Sequence, residues 1–284
     1  MEAATSGGRD LYHEEVGDGV PILLIHPSGS SGSTWGPMVE ELARVGWVIT
    51  YDRRGYARSG GEPVRKLSTH SADAAGLLES MQAPPAVVVG TSSGAMIALD
   101  LAVRRPDLVR AVVEHEGPWR FTRHLPTGSQ VRTFAAMGSF VLRGRHADAA
   151  ETLLRSAYAY REGGTAWDAF PEGWRRAGRE NAKATLWDFL TSIGNRPSAA
   201  ELAKIEVPVV CSFGSRSPDF IVRRTKSLAA AIPTARTHRI EGAAHAAPFD
   251  APATFVQLIA DAVAMRVGVH RKRGDDPAKT AATT

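Results

Sequence analysis

The segment Gly90-Thr91-Ser92-Ser93-Gly94 constrains this chain more than any other. An apolar run, Pro85-Ala86-Val87-Val88-Val89, precedes it, and Ala95-Met96-Ile97-Ala98-Leu99-Asp100-Leu101-Ala102 follows with helical character. A G-x-S-x-G set between a strand and a helix makes a turn so tight that only small neighbours fit. It lifts the serine hydroxyl above the sheet edge. The pentapeptide alone recurs by chance in many chains, so its context matters. That context includes a histidine in a loop near the C-terminus, Glu241-Gly242-Ala243-Ala244-His245. Together they imply covalent catalysis by Ser92 with His245 as its base.

Composition allows this and narrows the alternatives. With 284 residues, 43% of them hydrophobic and 23% charged, the chain can bury a full core as one domain with an insertion or as two domains. No apolar run reaches the ~18 residues a membrane span needs, and the small, polar first ten residues carry no secretory pattern. A cytoplasmic location is therefore expected. Cys211 is the only cysteine and lies in the apolar run Val207-Pro208-Val209-Val210-Cys211, where it is expected to pack as a small hydrophobe. Most of the +4 formal charge sits in the tail, where Arg266, Arg271, Lys272, Arg273 and Lys279 face Asp275 and Asp276. The body is thus nearly neutral, and neither a nucleic-acid nor a membrane partner is expected. No zinc-type spacing, phosphate loop or dinucleotide fingerprint occurs, so no metal or cofactor is expected either.

Strand-like and helix-like runs alternate along the chain, which predicts a mostly parallel sheet covered on both faces. A hairpin is expected over residues 10–19, turning at Gly17-Asp18-Gly19. Buried strands are expected over 22–26, 47–52, 86–90, 109–116, 207–213 and 235–241, and helices over 35–44, 69–81, 93–104, 219–231 and 253–265. Between residues 117 and 200 the pattern turns helical and holds more than half of the chain's aromatics. An insertion after a strand's C-terminal end sits over the edge where open α/β sheets bind ligands, so a cap is expected there. The expected division is a flexible N-terminus over 1–9, a core over 10–117 and 201–266, a helical cap over 118–200 and a disordered basic tail over 267–284.

His26-Pro27-Ser28-Gly29, Asp52-Arg53-Arg54-Gly55-Tyr56-Ala57-Arg58-Ser59, the Ser92 elbow and Gly242-Ala243-Ala244-His245 follow one another in an order that resembles the α/β-hydrolase superfamily. The resemblance covers residues 10 to 265 and implies an α/β-hydrolase fold with an eight-stranded, mostly parallel sheet. A serine rather than an aspartate at the elbow favours acyl transfer over the dehalogenases and epoxide hydrolases of that superfamily. His26, Asp52 and Arg54 then read as scaffold.

The carboxylate that orients His245 is the open question. The superfamily's usual aspartate would stand two residues beyond Ser215, where this chain has Ser217. Asp219 is nearby but follows Pro218 and suits the first turn of the next helix. Glu116 is the favoured acid. From Ser92 the chain descends a helix of about 12 residues, roughly 18 Å, and returns along a strand of about 7 residues, roughly 23 Å. Glu116 therefore comes back to the edge that carries Ser92, on the neighbouring strand. The string Glu114-His115-Glu116-Gly117-Pro118 resembles zearalenone-type lactonases, which place the acid there. Asp219 remains the alternative.

The resemblance also implies an oxyanion hole from the backbone N–H groups of Ser28 and Ser93, with Pro27 standing where a glycine is usual. Trp119 and Trp187 are the aromatics expected to line the pocket, and Arg120, Arg123 and His124 the charges nearest it. The expected substrate is a small apolar ester or lactone, and a second copy of the chain is a candidate partner. The same triad would serve a carbon–carbon bond hydrolase, and the same scaffold a non-catalytic ligand receptor.

Overall fold

The computed structural model describes residues 4–6, 9–119, 128–194 and 196–265. The expectations for Arg120, Arg123, His124 and the basic tail lie outside them. Nine strands are described: β1 (Ala4–Ser6), β2 (Arg9–Leu11), β3 (His13–Val16), β4 (Pro21–Ile25), β5 (Trp47–Tyr51), β6 (Ala86–Thr91), β7 (Val109–His115), β8 (Val209–Gly214) and β9 (Ala235–Ile240). The main sheet has seven strands in the order β3-β5-β4-β6-β7-β8-β9, parallel apart from β3. This corrects the expectation of eight. β1 and β2 pair only with each other as a separate ribbon, so the stretch expected to be loose holds a strand.

The hairpin expected at Gly17-Asp18-Gly19 is also corrected. β3 pairs antiparallel with β5, not with the β4 that follows it. β4 is buried at every position and takes parallel partners on both sides, β5 and β6, whereas β3 is mostly exposed and closes the edge. A fully apolar strand belongs inside a parallel sheet.

Side-chain alternation along the strands builds two cores. Leu23, Ile25, Ile49, Val88, Val112 and Cys211 pack with residues of α2 (Leu67–Ser80) and α3 (Ser93–Arg104) on one face. Ile22, Leu24, Val48, Val87, Val89 and Val113 pack on the other face with Met38, Leu42, Phe255 and Ile259. The helices there lie over Gly36–Leu42 and Pro252–Ala264. Between β7 and β8 come α4 (Gly128–Leu142), α5 (His146–Ala157), α6 (Glu172–Glu180) and α7 (Ala182–Gly194), the helical insertion the aromatic stretch predicts. Among the described residues no helix is long and apolar enough to cross a membrane.

The turn from β6 into α3 needs both its glycines. A Cβ on Gly90 would stand 2.3 Å from the Gly94 carbonyl, and one on Gly94 would stand 2.2 Å from the backbone oxygen of Ile25. Backbone atoms cannot step aside as a side chain can. Gly94→Ala is therefore expected to cost at least about 1–3 kcal/mol, read as a lower urea midpoint.

Candidate active site

Ser92 follows β6 and has φ 52° and ψ −121°. Among the described residues only four non-glycines have positive φ, and Ser92 and Glu116 (φ 51°) are two of them. Such backbone costs about 1–3 kcal/mol and persists where the surroundings over-determine it. Here they do. The Ser92 N–H donates to the carbonyl of His115 at 2.9 Å, and the Glu116 N–H donates to that of Ser212 at 3.2 Å.

Glu116 comes off the end of β7, next to β6, and is fully buried. Its Oε2 lies 2.9 Å from Nδ1 of His245. Its Oε1 accepts the Gly214 N–H at 3.0 Å and the hydroxyl of Ser217. Burial by itself raises the carboxyl, but the imidazoles of His115 and His245 and the Gly214 N–H more than offset that and hold it down to about 2. An ionised carboxylate only accepts hydrogen bonds, so His245 Nδ1 carries the proton. Its Nε2 is the ring nitrogen left outside that pairing.

The His245 loop is pinned from three sides. The Ala244 N–H donates to Asp250 at 2.9 Å, the Gly242 N–H to Ser215 Oγ at 3.0 Å, and the Ala244 carbonyl lies 2.9 Å from His115 Nε2. Gly214 admits this loop, because a Cβ there would stand 2.1 Å from the Ala243 oxygen. Asp219 takes no part. It opens the helix Asp219–Ala230 with a 71% exposed side chain, 3.7 Å from Arg161. Ser217 was visible in the sequence only as a missing aspartate, yet it is fully buried against the acid that the neighbouring strand supplies.

Ser28 and Ser93 meet across the elbow, their hydroxyl oxygens 2.9 Å apart. Ser93 opens α3, where backbone N–H groups lack helical partners and favour negative charge. His26 shapes the adjoining loop: its Nδ1 lies 2.8 Å from the Pro27 oxygen and its Nε2 accepts the Arg53 N–H at 3.0 Å.

A cavity beside His245 and Thr91 is walled by Tyr158, Trp167, Phe170 and Trp174 of the insertion and by Phe249 of the core. These rings meet largely edge to face, and Tyr158 lies 5.4 Å from the His245 ring. Trp119 and Trp187 are not among the lining residues, which corrects the expectation. Trp119 is fully buried in the core beneath α3, and Trp187 is stacked under the Arg65 guanidinium, 4.5 Å from its ring centre. Proximity to Glu116 in sequence had suggested Trp119, but the chain turns it inward against Gly117. Phe249 lies outside the aromatic stretch, so its part in the wall had no sequence signal. Among the described residues no group of three or more His, Cys, Asp or Glu could hold a metal ion.

Glu114 is a second buried carboxyl, two residues from Glu116. Its Oε2 accepts the Gly117 N–H at 3.0 Å, and beyond that bond the carboxyl has, among the described residues, only the Cys211 thiol beside it as a weak donor. Burial pushes it up to about 8 from an ordinary 4.5. The unfolded chain gives up this proton above about pH 4.5 while the folded protein keeps it to about pH 8. The contribution of Glu114 to stability then falls through that window by roughly 1.4 kcal/mol per pH unit, while buried His26, His70 and His115, whose pKa values are lowered, act oppositely below about pH 6.5. The depressed Glu116 acts oppositely and only at lower pH, its contribution being lost as pH falls from 4.5 toward about 2. The stability difference between wild type and Glu114→Gln is therefore expected to fall steadily from about pH 5 to pH 8, read as the change in the gap between their urea midpoints.

A family model described as the alpha/beta hydrolase family matches residues 22–258. The uncharacterized hydrolase YraK of Bacillus subtilis (strain 168) is 38% identical over 112 residues, 38% of this chain and 41% of YraK. The match thus spans less than half of that relative's length. Among solved structures, the enol-lactonase from Burkholderia xenovorans LB400 superposes with a TM-score of 0.77 at 19% identity, covering 93% of this chain and 100% of that one. The bromoperoxidase from Bacillus anthracis gives a TM-score of 0.75 at 22% identity, covering 92% and 99%. Likeness at these identities is likeness of fold.

Proposed function

The chain belongs to the alpha/beta hydrolase family, and from that premise we propose that it is a cofactor-independent serine hydrolase of small, uncharged carboxylic esters or lactones. The carrying observation is the buried Glu116–His245 pair, 2.9 Å apart, with its histidine open to an aromatic cavity. Ser92 attacks the acyl carbon through Oγ as His245 Nε2 takes its proton. The carbonyl oxygen becomes an oxyanion that the Ser28 and Ser93 N–H groups receive. The bond to the leaving alkoxide then breaks, and His245 hands it the proton, leaving an acyl group on Ser92. A water, deprotonated by the same imidazole, releases the acid. In a lactone, acid and alcohol leave as one molecule.

The cap expected over 118–200 supplies the specificity in this proposal, with Tyr158, Trp167, Phe170 and Trp174 holding the acyl side. Among the described residues no Asp, Glu, Lys or Arg lines the cavity, and a carboxylate moved there loses its hydration without gaining a partner from them. The enol-lactonase neighbour supports the lactone half of the proposal, while the bromoperoxidase shows that the fold alone does not choose a substrate. The test is a panel of p-nitrophenyl esters, simple lactones and a carbon–carbon bond substrate. Neutral esters or lactones should exceed their carboxylate-bearing analogues by at least about tenfold in kcat/KM. Turnover of the carbon–carbon substrate alone, or of none, would contradict it.

A further inference from the structure

The helical insertion reaches the expected oxyanion hole through a buried side chain. Asp188 of α7 is 7% exposed, and a single oxygen of its carboxylate, Oδ2, receives three donors. These are Arg53 Nη2 at 2.7 Å, the Tyr56 hydroxyl at 2.6 Å and the Ser28 hydroxyl at 2.8 Å. Its Oδ1 faces His70 Nε2 at 3.6 Å. Burial would raise the Asp188 carboxyl, but Arg53 and His70 outweigh it and keep the group ionised.

A simple anchor between insertion and core would need only the pairing with Arg53. Ser28 makes the difference. Its hydroxyl is the donor in both of its contacts, its one proton shared between Asp188 Oδ2 at 2.8 Å and the Ser93 hydroxyl oxygen at 2.9 Å. A row centred on the Ser28 hydroxyl therefore links Asp188 to Ser93, and joins the side chains of the two residues whose backbone N–H groups would receive the oxyanion. Those residues are 65 apart in sequence, and Asp188 is 160 beyond Ser28. The loop at Ser28 follows Pro27, whose fixed φ leaves its neighbours less freedom to find the geometry alone.

We infer that Asp188 is a positioning residue: it holds the Ser28 and Ser93 N–H groups at the spacing an oxyanion requires, so that the insertion's seating governs the chemical step. This rests on the hydrolase proposal and deepens it. Asp188 touches no reacting atom. Its effect passes through Ser28, and donors preplaced in this way act on the transition state rather than on the bound ester.

The test uses Asp188→Asn, Ser28→Ala and the double variant in the full chain. Ser28→Ala keeps the backbone N–H and removes only the hydroxyl row, so it stands even if Asp188→Asn, which leaves Arg53 without its counter-charge, folds poorly. Ser28→Ala is expected to lower kcat by about tenfold with KM within about threefold, since a donor is displaced rather than deleted. Affinity for a trifluoromethyl ketone, which places an oxyanion on Ser92, should weaken in the same ratio as kcat/KM. Asp188→Asn should do the same, and the double variant should lose little more than either single one.

Ser28→Ala at full kcat, losses confined to KM, or losses that multiply in the double variant would overturn the inference while leaving the hydrolase proposal intact. Wild-type protein that neither reacts with a fluorophosphonate at Ser92 nor turns over any ester would overturn both.

Discussion

Ser92→Ala is expected to lower ester or lactone turnover by about 10⁴- to 10⁶-fold, leaving only what binding and the oxyanion donors provide. In the proposed reaction Ser92 Oγ forms the bond to the acyl carbon, and without it the acyl group has nowhere to go and water must attack directly. The fold should be indifferent or slightly improved. Ser92 carries φ 52° for the sake of the elbow, and the backbone N–H that the His115 carbonyl holds is kept in the variant. Alanine tolerates that backbone no better than serine, so the thermal midpoint should stay close to that of wild type. A large loss of activity at an unchanged midpoint separates a chemical role from a structural one.

Glu116→Gln is expected to cost about 10⁴-fold in kcat, the scale seen when a triad acid becomes an amide. In the proposed reaction the carboxylate fixes the proton on His245 Nδ1 and steadies the imidazolium formed during attack. A glutamine can still accept the Gly214 N–H and the Ser217 hydroxyl through its oxygen, which turns its NH₂ group toward His245. The imidazole must then accept at Nδ1 and carry its proton on Nε2, where it cannot take one from Ser92. Asp219→Asn is the matched control. Its side chain is 71% exposed and pairs loosely with Arg161, so activity should remain within about twofold. If Asp219→Asn lost activity while Glu116→Gln kept it, the acid would be misassigned.

Much of the framework was legible because it rests on local rules. The strand, tight turn and helix around Ser92 follow from Gly90 and Gly94, whose missing Cβ atoms the structure needs. The return of Glu116 to the same edge follows from helix rise and strand rise alone. What could not be read depends on packing across long separations. The alternation of β3 does not say whether it joins β4 or β5, and the seven-stranded count turns on that kind of choice. Trp119 and Trp187 were indistinguishable in sequence from Trp167 and Trp174, since aromatic character does not reveal which way a side chain turns. Asp188 and Arg53 were silent for a similar reason: a buried ion pair between residues 135 apart leaves no motif. Ser217 looked like a departure from pattern. In three dimensions its hydroxyl supports the relocated acid.

The most direct measurement is the mass-spectrometric location of the adduct left by a fluorophosphonate on the intact protein. The account predicts one phosphonyl group, on the peptide carrying Ser92, forming readily in wild type and in Asp219→Asn and far more slowly in Glu116→Gln. No adduct, or an adduct at Ser92 that forms equally fast with Gln at position 116, would contradict it.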